Sequence, residues 1–541
     1  MGRQVTTDTL IISSTLATAL LVLFSVQWYR SARSRRLIRY PPGPSGDFVL
    51  GNLRQMPFCY KWLTFAEWGQ KYGPLTYLNV VGRPILVINT QEAAIDLLEK
   101  RASIYSDRPH IPMAALSGFA ETTALLNNGP THRKHRKLLA QVLHPRVAHR
   151  DVVPLQERIV RKLAQSLLDN PANYAVYIHR ATGETVQIMT YGESSDGQVD
   201  LAELGREVVK NGAEVLAGHA VDCFPWLTYL PEWLPGTQFK RNAKLFKDVY
   251  DKTQWLPYDM VKRKASAGTA HSCFVLSALE TQKTSSTSNA DDNTISYAAL
   301  TLYGAGSETV ASTLCTFVLA MLLYPDVQAK ARAEIDCVVG EDRLPTFASK
   351  DAMPYLNAVL LETLRWQPAK PIGIPHAAAK DDVYNSLIIP SGTMIIVNAW
   401  GILHDEHHFT DPLTFNPERF LNSNQQRKAD HDGGEVRGHT KSIIDPWDVA
   451  FGYGRRMCPG ISVARSGLWI TMATILASFE IRPKKDPVTM KPILPQARWT
   501  GGNLSAPEPF VCDIIPRSQG HAERIREAVA EDTRAARIHV P

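Results

Sequence analysis

The stretch Phe451-Gly452-Tyr453-Gly454-Arg455-Arg456-Met457-Cys458-Pro459-Gly460 runs directly into an apolar segment whose helix is expected to begin near Ile461. A cysteine in a glycine-flanked loop at a helix N-terminus is placed to be a thiolate. Backbone N–H groups and the helix dipole favour negative charge there and lower the thiol pKa. Gly454 and Gly460 permit the close backbone approach that such a loop needs. Arg456 brings a cation beside an anionic ligand or carboxylate. A bland loop cysteine in a turn is the competing reading, and the glycines and arginines set in this order argue against it. The other six cysteines, Cys59, Cys223, Cys273, Cys315, Cys337 and Cys512, are scattered without a CxxC pair. They read as reduced thiols of a cytosol-facing protein, mostly small core hydrophobes, with no disulfide framework.

Working outward, the chain has 541 residues, 44% hydrophobic and 21% charged. This is ordinary globular composition, enough to bury a core that encloses a planar cofactor. The formal net charge of +6, from 59 Lys+Arg against 53 Asp+Glu, is mild. No dense basic stripe with interleaved aromatics appears, so nucleic acid is not an expected partner. From Thr9 to Tyr29 no charged residue occurs, and Leu16 to Val26 is strongly apolar. A helix of ~20 residues spans the ~30 Å hydrocarbon core. Trp28 and Tyr29 suit an interface, and Arg30, Arg33, Arg35, Arg36 and Arg39 follow, which puts the body in the cytosol. A cleaved signal peptide would carry its charge before the run. Residues 1–40 therefore read as a single-pass anchor with a basic stop segment, 41–46 as a stiff proline-rich hinge, and 47–541 as the body.

Within the body, residues 75–90 (LTYLNVVGRPILVINT) predict a hairpin with Gly82-Arg83 as its turn. Apolar periodicity predicts helices over 91–100, 131–143, 152–168, 201–217, 294–323, 325–339 and 354–366. Short strands are expected near 383–398 and after 479, and polar surface loops over 283–293 and 422–441. The expectation is one large domain, mainly α with minor β. The roughly 60 residues left after 482 are too few for a flavin reductase domain, so electrons are expected from a separate protein.

The 451–460 string matches Phe-x-x-Gly-x-Arg-x-Cys-x-Gly, and at this point the sequence resembles the cytochrome P-450 family, most of all its fungal microsomal members, over nearly the whole chain. The resemblance implies the family's haem-enclosing fold, iron protoporphyrin IX as cofactor, Cys458 as its axial ligand, and Phe451, Arg456 and Gly460 around it. Glu362-Thr363-Leu364-Arg365 places an acid and a base at i, i+3 on one helix face. It is similar to the family's Glu-x-x-Arg motif, with Arg419 of Pro417-Glu418-Arg419-Phe420 completing a buried structural network. Ala305-Gly306-Ser307-Glu308-Thr309, locally costly in an apolar helix, resembles the oxygen-binding groove. There Gly306 would leave room for dioxygen, and Thr309 with Glu308 would deliver protons. His132-Arg133-Lys134-His135-Arg136 is similar to a propionate-binding Trp-x-x-x-Arg motif with His132 where Trp is usual. Arg136 would pair with a propionate bidentately, His376 after Pro375 is a further propionate candidate, and Arg133, Lys134 and Lys137 face either an acidic reductase or water.

The implied reaction is monooxygenation of a hydrophobic small molecule with O2 and electrons from a separate NADPH–cytochrome reductase, at the endoplasmic reticulum membrane. By the same resemblance the pocket draws on 111–127, 297–305, 369–374 (AKPIGI) and 499–504, mostly apolar or small. The aromatic segment 224–234 either dips into the bilayer or packs inside. Fungal secondary metabolism, on terpenoids, polyketides or aromatics, is the implied setting. Two rival readings are a haem-thiolate isomerase or dehydratase, and a membrane haem protein without catalysis. The intact Glu308-Thr309 pair speaks against the first. The lack of His, Met, Cys or Lys over 301–313 speaks against the second.

Overall fold

The computed structural model describes residues 39–193, 201–284, 291–421 and 443–538. The expected anchor over 1–40 lies almost wholly outside the described residues, as do parts of the two expected polar loops. The principal helices are α1 (Lys61–Tyr72), α2 (Pro130–Leu143), α3 (Val153–Asp169), α4 (Tyr174–Tyr191), α5 (Leu201–Val215), α6 (Gln238–Ser266), α7 (Asp292–Leu323), α8 (Pro325–Val339), α9 (Pro354–Trp366), α10 (Ile461–Ser478) and α11 (Gln519–Ile538). The strands are β1 (Leu75–Val80), β2 (Arg83–Ile88), β3 (His376–Ala377), β4 (Asp382–Tyr384), β5 (Leu387–Ile389), β6 (Met394–Val397), β7 (Phe479–Pro483) and β8 (Cys512–Pro516). Helices and small sheets share one domain.

Helix α7 is buried on every side from Ala311 to Leu322, its hydroxyls Ser312, Thr313 and Thr316 hydrogen-bonded to carbonyls, and its apolar residues lie at the centre of the largest hydrophobic cluster. Residues of α3, α8, α9 and α10 join it there. Length and composition alone would let α7 and α10 cross a membrane, yet both are mostly buried inside the fold. Asp291 caps α7 by accepting a hydrogen bond from Thr294 N at 2.7 Å. That cap ends the expected 283–293 loop two residues early.

One sheet has the order β1-β2-β6-β3, with β1–β2 and β3–β6 antiparallel and β2–β6 parallel. The hairpin turn is Val81-Gly82, one residue earlier than expected. Both residues have positive φ (51° and 78°), the twist that a two-residue hairpin favours, and Arg83 already pairs with Val80. The proline-rich segment expected to act as a hinge is docked on this sheet. Pro42 O accepts from Tyr77 N at 2.8 Å, Pro44 O accepts from the Asn52 side chain at 2.9 Å, and a Cβ on Gly43 would sit 1.9 Å from Tyr77 O. Proline removes donors from this strip but leaves its carbonyls free to be bound by the sheet. Residues 41–46 are thus part of the body.

Beneath the sheet, α9 presents the Glu-x-x-Arg pair to the interior. Arg365 Nε donates to Glu362 Oε2 at 2.6 Å and Nη2 to Oε1 at 2.8 Å, and both side chains are fully buried. The guanidinium also donates to the carbonyls of Pro412 (2.7 Å), Leu403 and Thr414 (3.2 Å each). Arg419 Nε reaches Glu362 Oε1 at 3.3 Å, and Asn416 N donates to the same oxygen at 2.7 Å. Every charged group in this network is answered, and it ties α9 to the 403–419 segment. Removing one partner strands the other charge in the interior, which costs about 3–5 kcal/mol. Arg365→Ala should lower the free energy of unfolding by that amount in denaturant titration of the purified protein. Melting and unfolding at wild-type values would show the network to be dispensable.

Candidate active site

The Cys458 loop is built by backbone. Cys458 N donates to Phe451 O at 2.8 Å, closing the loop on itself, and the Phe451 ring packs tilted against Trp447 with centroids 4.8 Å apart. Gly452 and Gly454 have φ of 76° and 52°, where side chains are strained. A Cβ at Gly454 would lie 2.3 Å from Leu98 O, so glycine there serves both conformation and approach. Gly460 precedes α10 with φ −86°, and the nearest atom to a Cβ there would be Cys458 Sγ at 3.9 Å.

The sequence led us to expect a thiol pKa lowered by the helix terminus. In the fold, burial pushes Cys458 up, and the opposing pull of the Gly460 N–H and the Arg136 charge is the smaller effect. A metal ion bound at this sulfur would deprotonate the thiol.

Around the loop gathers a set of cations organised by the backbone of 105–108. Tyr105 O accepts from His376 Nδ1 at 2.8 Å, Ser106 O from Arg456 Nε at 2.7 Å, and Asp107 O from Ala377 N at 2.8 Å. Arg456 Nη2 donates to Leu126 O at 2.5 Å, while its Nη1 is buried without a hydrogen-bond partner. Arg108 donates to Ala124 O, Ile374 O and Pro375 O at 2.7, 2.8 and 2.7 Å. Sequence reasoning missed Arg108. Its only signal is a charged pair, Asp107-Arg108, in a stretch leading to Pro109. Arg136 Nη1 donates to Met457 O at 2.8 Å and so stands beside the cysteine loop.

These groups press on one another. Burial and Arg456 bring Arg108 down to about 9, and burial with Arg136, against the pull of Asp107, brings Arg456 to about 10. Burial, then Arg456, Arg136 and Arg108, holds His132 at about 3. Burial and Arg108 hold His376 at about 3, the Tyr105 carbonyl opposing. Arg108 and Arg456 are buried and Arg136 is half-exposed. Among the described residues Asp107 is the one carboxylate that acts on any of the three, through Arg456, so the cluster carries an excess of positive charge. A planar group carrying two carboxylates beside a thiol ligand satisfies that balance, and haem with its two propionates is such a group. His376, whose Nδ1 is committed to Tyr105 O, can donate from Nε2 only after taking up a proton, which an adjoining dianion favours.

The 305–309 segment lies on α7 where that helix crosses α4. Ala305 is exposed on a helix otherwise mostly buried. Gly306 was expected to leave room for dioxygen. Its missing side chain instead faces α4: a Cβ would meet Val186 Cγ2 at 2.9 Å, so the glycine lets the two helices approach. Thr309 Oγ1 donates to Ala305 O at 3.1 Å, within its own helix. Glu308 Oε2 lies 3.1 Å from Nδ1 of His179 on α4. Burial pulls that imidazole down, but hydrogen bonds to Cys315 and Glu308 outweigh it and raise its pKa to about 10, so His179 and Glu308 form an ion pair. Nothing in the sequence linked His179 to Glu308, because the contact depends on helix crossing. On α2, His132 and His135 turn inward while Arg133, Lys134 and Lys137 are exposed.

The family model described as Cytochrome P450 matches residues 41–504. Among curated proteins, Cytochrome P450 monooxygenase 208 of Postia placenta is 36% identical over 531 residues, covering 96% of this chain and 98% of its own. Cytochrome P450 monooxygenase claR of Ampulloclitocybe clavipes is 36% identical over 496 residues, with 90% and 88% covered. Among solved structures, a zebra fish cytochrome P450 with abiraterone aligns with TM-score 0.65 at 22% identity, over 84% of this chain and all of that one, a likeness of fold.

A single sulfur is expected to account for the spectrum. Cys458→Ala should abolish the red-shifted Soret band of the reduced carbon monoxide complex, and serine at the exposed Cys59 or Cys337 should leave it intact. A retained band in Cys458→Ala would overturn the ligand assignment.

Proposed function

This chain belongs to the cytochrome P450 family, and from that premise we propose that it is a membrane-bound monooxygenase of fungal secondary metabolism. It inserts one oxygen atom of O2 into an unactivated C–H or C=C bond of a hydrophobic small molecule. Haem-dependent monooxygenation with O2, a substrate and a redox partner is the activity of the family. The observation that carries the reading is the gathering of Arg108, Arg136 and Arg456 beside the Cys458 loop, with an excess of positive charge. Haem, when bound, supplies the iron at which dioxygen is activated. Cys458 Sγ would ligate it, with Phe451 and Gly460 shaping the loop, and Arg108, Arg136, Arg456, His132 and His376 would hold its propionates.

The chain's own contribution is to orient, to exclude water and to move protons. Segments 297–305 and 369–374 supply largely apolar walls that keep bulk water away from the reacting face. Protons then come through placed groups, and general acid help of this kind contributes typically ~10²–10⁴-fold. Thr309 Oγ1 is the terminal donor in this scheme, releasing Ala305 O to hold a proton toward the oxygen site. Glu308, held by His179 Nδ1 at 3.1 Å, is assigned to relay protons to it through water, with His179 positioning the carboxylate. Electrons come from a separate NADPH–cytochrome reductase, for which the exposed Arg133, Lys134 and Lys137 of α2 offer a basic docking face.

The N-terminal apolar segment would anchor the chain in the endoplasmic reticulum membrane with its body in the cytosol. Support for a second membrane contact comes from the 224–234 segment, whose Trp226, Tyr229 and Trp233 are 58%, 88% and 79% exposed. Such exposure weighs against packing inside.

Thr309→Ala is expected to keep substrate binding and NADPH oxidation while diverting electrons to hydrogen peroxide. Product per NADPH should fall and peroxide rise to match. Unchanged coupling would leave Thr309 as a hydroxyl serving its own helix, and absence of any NADPH demand would point to an isomerase.

A further inference from the structure

Directly before the Cys458 loop lies the one-turn helix Trp447–Ala450, closed by Ala450 N donating to Pro446 O at 2.9 Å. Trp447 N donates to Asp445 Oδ1 at 3.0 Å. Trp447 and Phe451 are four residues apart, so one turn brings their rings together, with 4.8 Å between centroids and 36° between planes. Phe451 O in turn accepts from Cys458 N, which ties the phenyl residue to the residue that carries the sulfur. From beyond the loop, α10 brings Arg465 back to the same indole. Its guanidinium carbon lies 4.7 Å from the Trp447 ring centroid, a cation–π contact. One line of contacts thus runs from a surface charge through an indole and a phenyl ring to the backbone of Cys458.

Arg465 is exposed, whereas Trp447 keeps only 7% of its surface. Among the described residues no carboxylate pairs with the guanidinium, and the ring is what holds it. Its charge is felt by another cation: burial first, and then Arg465, push the Lys350 ammonium down, against the pull of Asp351. This side of the loop therefore carries positive charge that the chain does not cancel. Water surrounds a free surface arginine on every side and screens it. Here the indole and phenyl rings stand between the charge and the loop, and across such apolar matter a charge acts more strongly than through water. The potential of an iron centre answers to charge, burial and hydrogen bonding around its ligands. A positive charge favours the form that holds one more electron.

We propose that Arg465, held on Trp447, is a positioning residue for the Cys458 ligand. Its stacked charge makes the bound iron easier to reduce, and the Trp447–Phe451 contact fixes the loop that carries the sulfur. The proposal rests on the monooxygenase reading above, in which electrons must reach the iron, and names the residues that set how readily they do.

The test uses the purified full-length holoenzyme as wild type, Arg465→Gln, Arg465→Lys and Trp447→Leu, reading the midpoint potential by spectroscopic titration against mediator dyes. In Arg465→Gln the equilibrium constant for reduction should fall about fivefold or more at low ionic strength. Salt at about 1 M, where screening acts over ~3 Å, should narrow that gap. Arg465→Lys keeps the charge without the planar fork and should recover part of the loss. Trp447→Leu releases the guanidinium into water and should move the potential in the same direction as Arg465→Gln. Should Trp447→Leu lose its haem, Arg465→Gln, at the surface, carries the decision. A wild-type potential in Arg465→Gln, or Arg465→Lys no better than Arg465→Gln, would overturn the proposal. A shift equal at low and high salt, or loss of the red-shifted carbon monoxide band in Arg465→Gln, would show a mechanical brace in place of a charge effect and overturn it too. The carbon monoxide spectrum also separates the two levels. A wild type without the thiolate band overturns the monooxygenase reading, whereas the band in all four proteins with one common potential overturns the role of Arg465 alone.

Discussion

Two buried guanidinium groups, Arg108 and Arg456, and the half-exposed Arg136 gather beside the Cys458 loop, with Asp107 as the carboxylate that pulls on Arg456. Charges of one sign do not gather in a low-dielectric interior unless something of opposite sign completes them. The backbone of 105–108 fixes this arrangement from one side and the cysteine loop from the other, through Ser106 O, Tyr105 O and Met457 O. We propose that the two carboxylates of haem complete this arrangement. Burial first, and then the neighbouring guanidiniums, depress His132 and His376, and Nη1 of Arg456 is left without a hydrogen-bond partner.

A second, self-sufficient charge system contrasts with the first. Glu362, Arg365 and Arg419 satisfy one another and the carbonyls of the 403–414 segment. This network has no chemistry left to offer, and its work is to hold α9 in place. Between the two systems runs α7, packed tightly against α4 at Gly306 and linked to it at Glu308–His179. Sites that function keep groups incompletely satisfied, and supporting structure does not.

Much of this was legible beforehand, and the reasons differ by element. Helices α2, α3, α7, α8 and α9 declare themselves through local periodicity, and their observed bounds fall within two residues of those expected. The 451–460 loop is legible because its constraints are local: Gly454 must take positive φ and approach Leu98. Long-range contacts were not legible. Arg108 matters because it meets carbonyls more than 260 residues away, and His179 because two helices cross. Gly306 looked like space for a ligand, since a sequence does not say which face of a helix a missing side chain leaves open. The proline strip at 41–46 looked like a hinge because Tyr77, whose N–H binds Pro42 O, lies on a strand some 35 residues later. Cys458 was expected to be acidic from the helix terminus alone, and the burial that outweighs that effect comes from the whole fold.

The claim that the cation cluster exists to receive two carboxylates can be tested on the group itself. Haem-free protein titrated with haem and with haem dimethyl ester offers the same iron, ring and shape, differing in the two charges. The account predicts tight binding of haem with the thiolate spectrum, and binding of the diester weaker by at least tenfold, with the gap closing in Arg108→Gln and Arg456→Gln. Equal affinity for haem and its diester in the wild-type protein would contradict it.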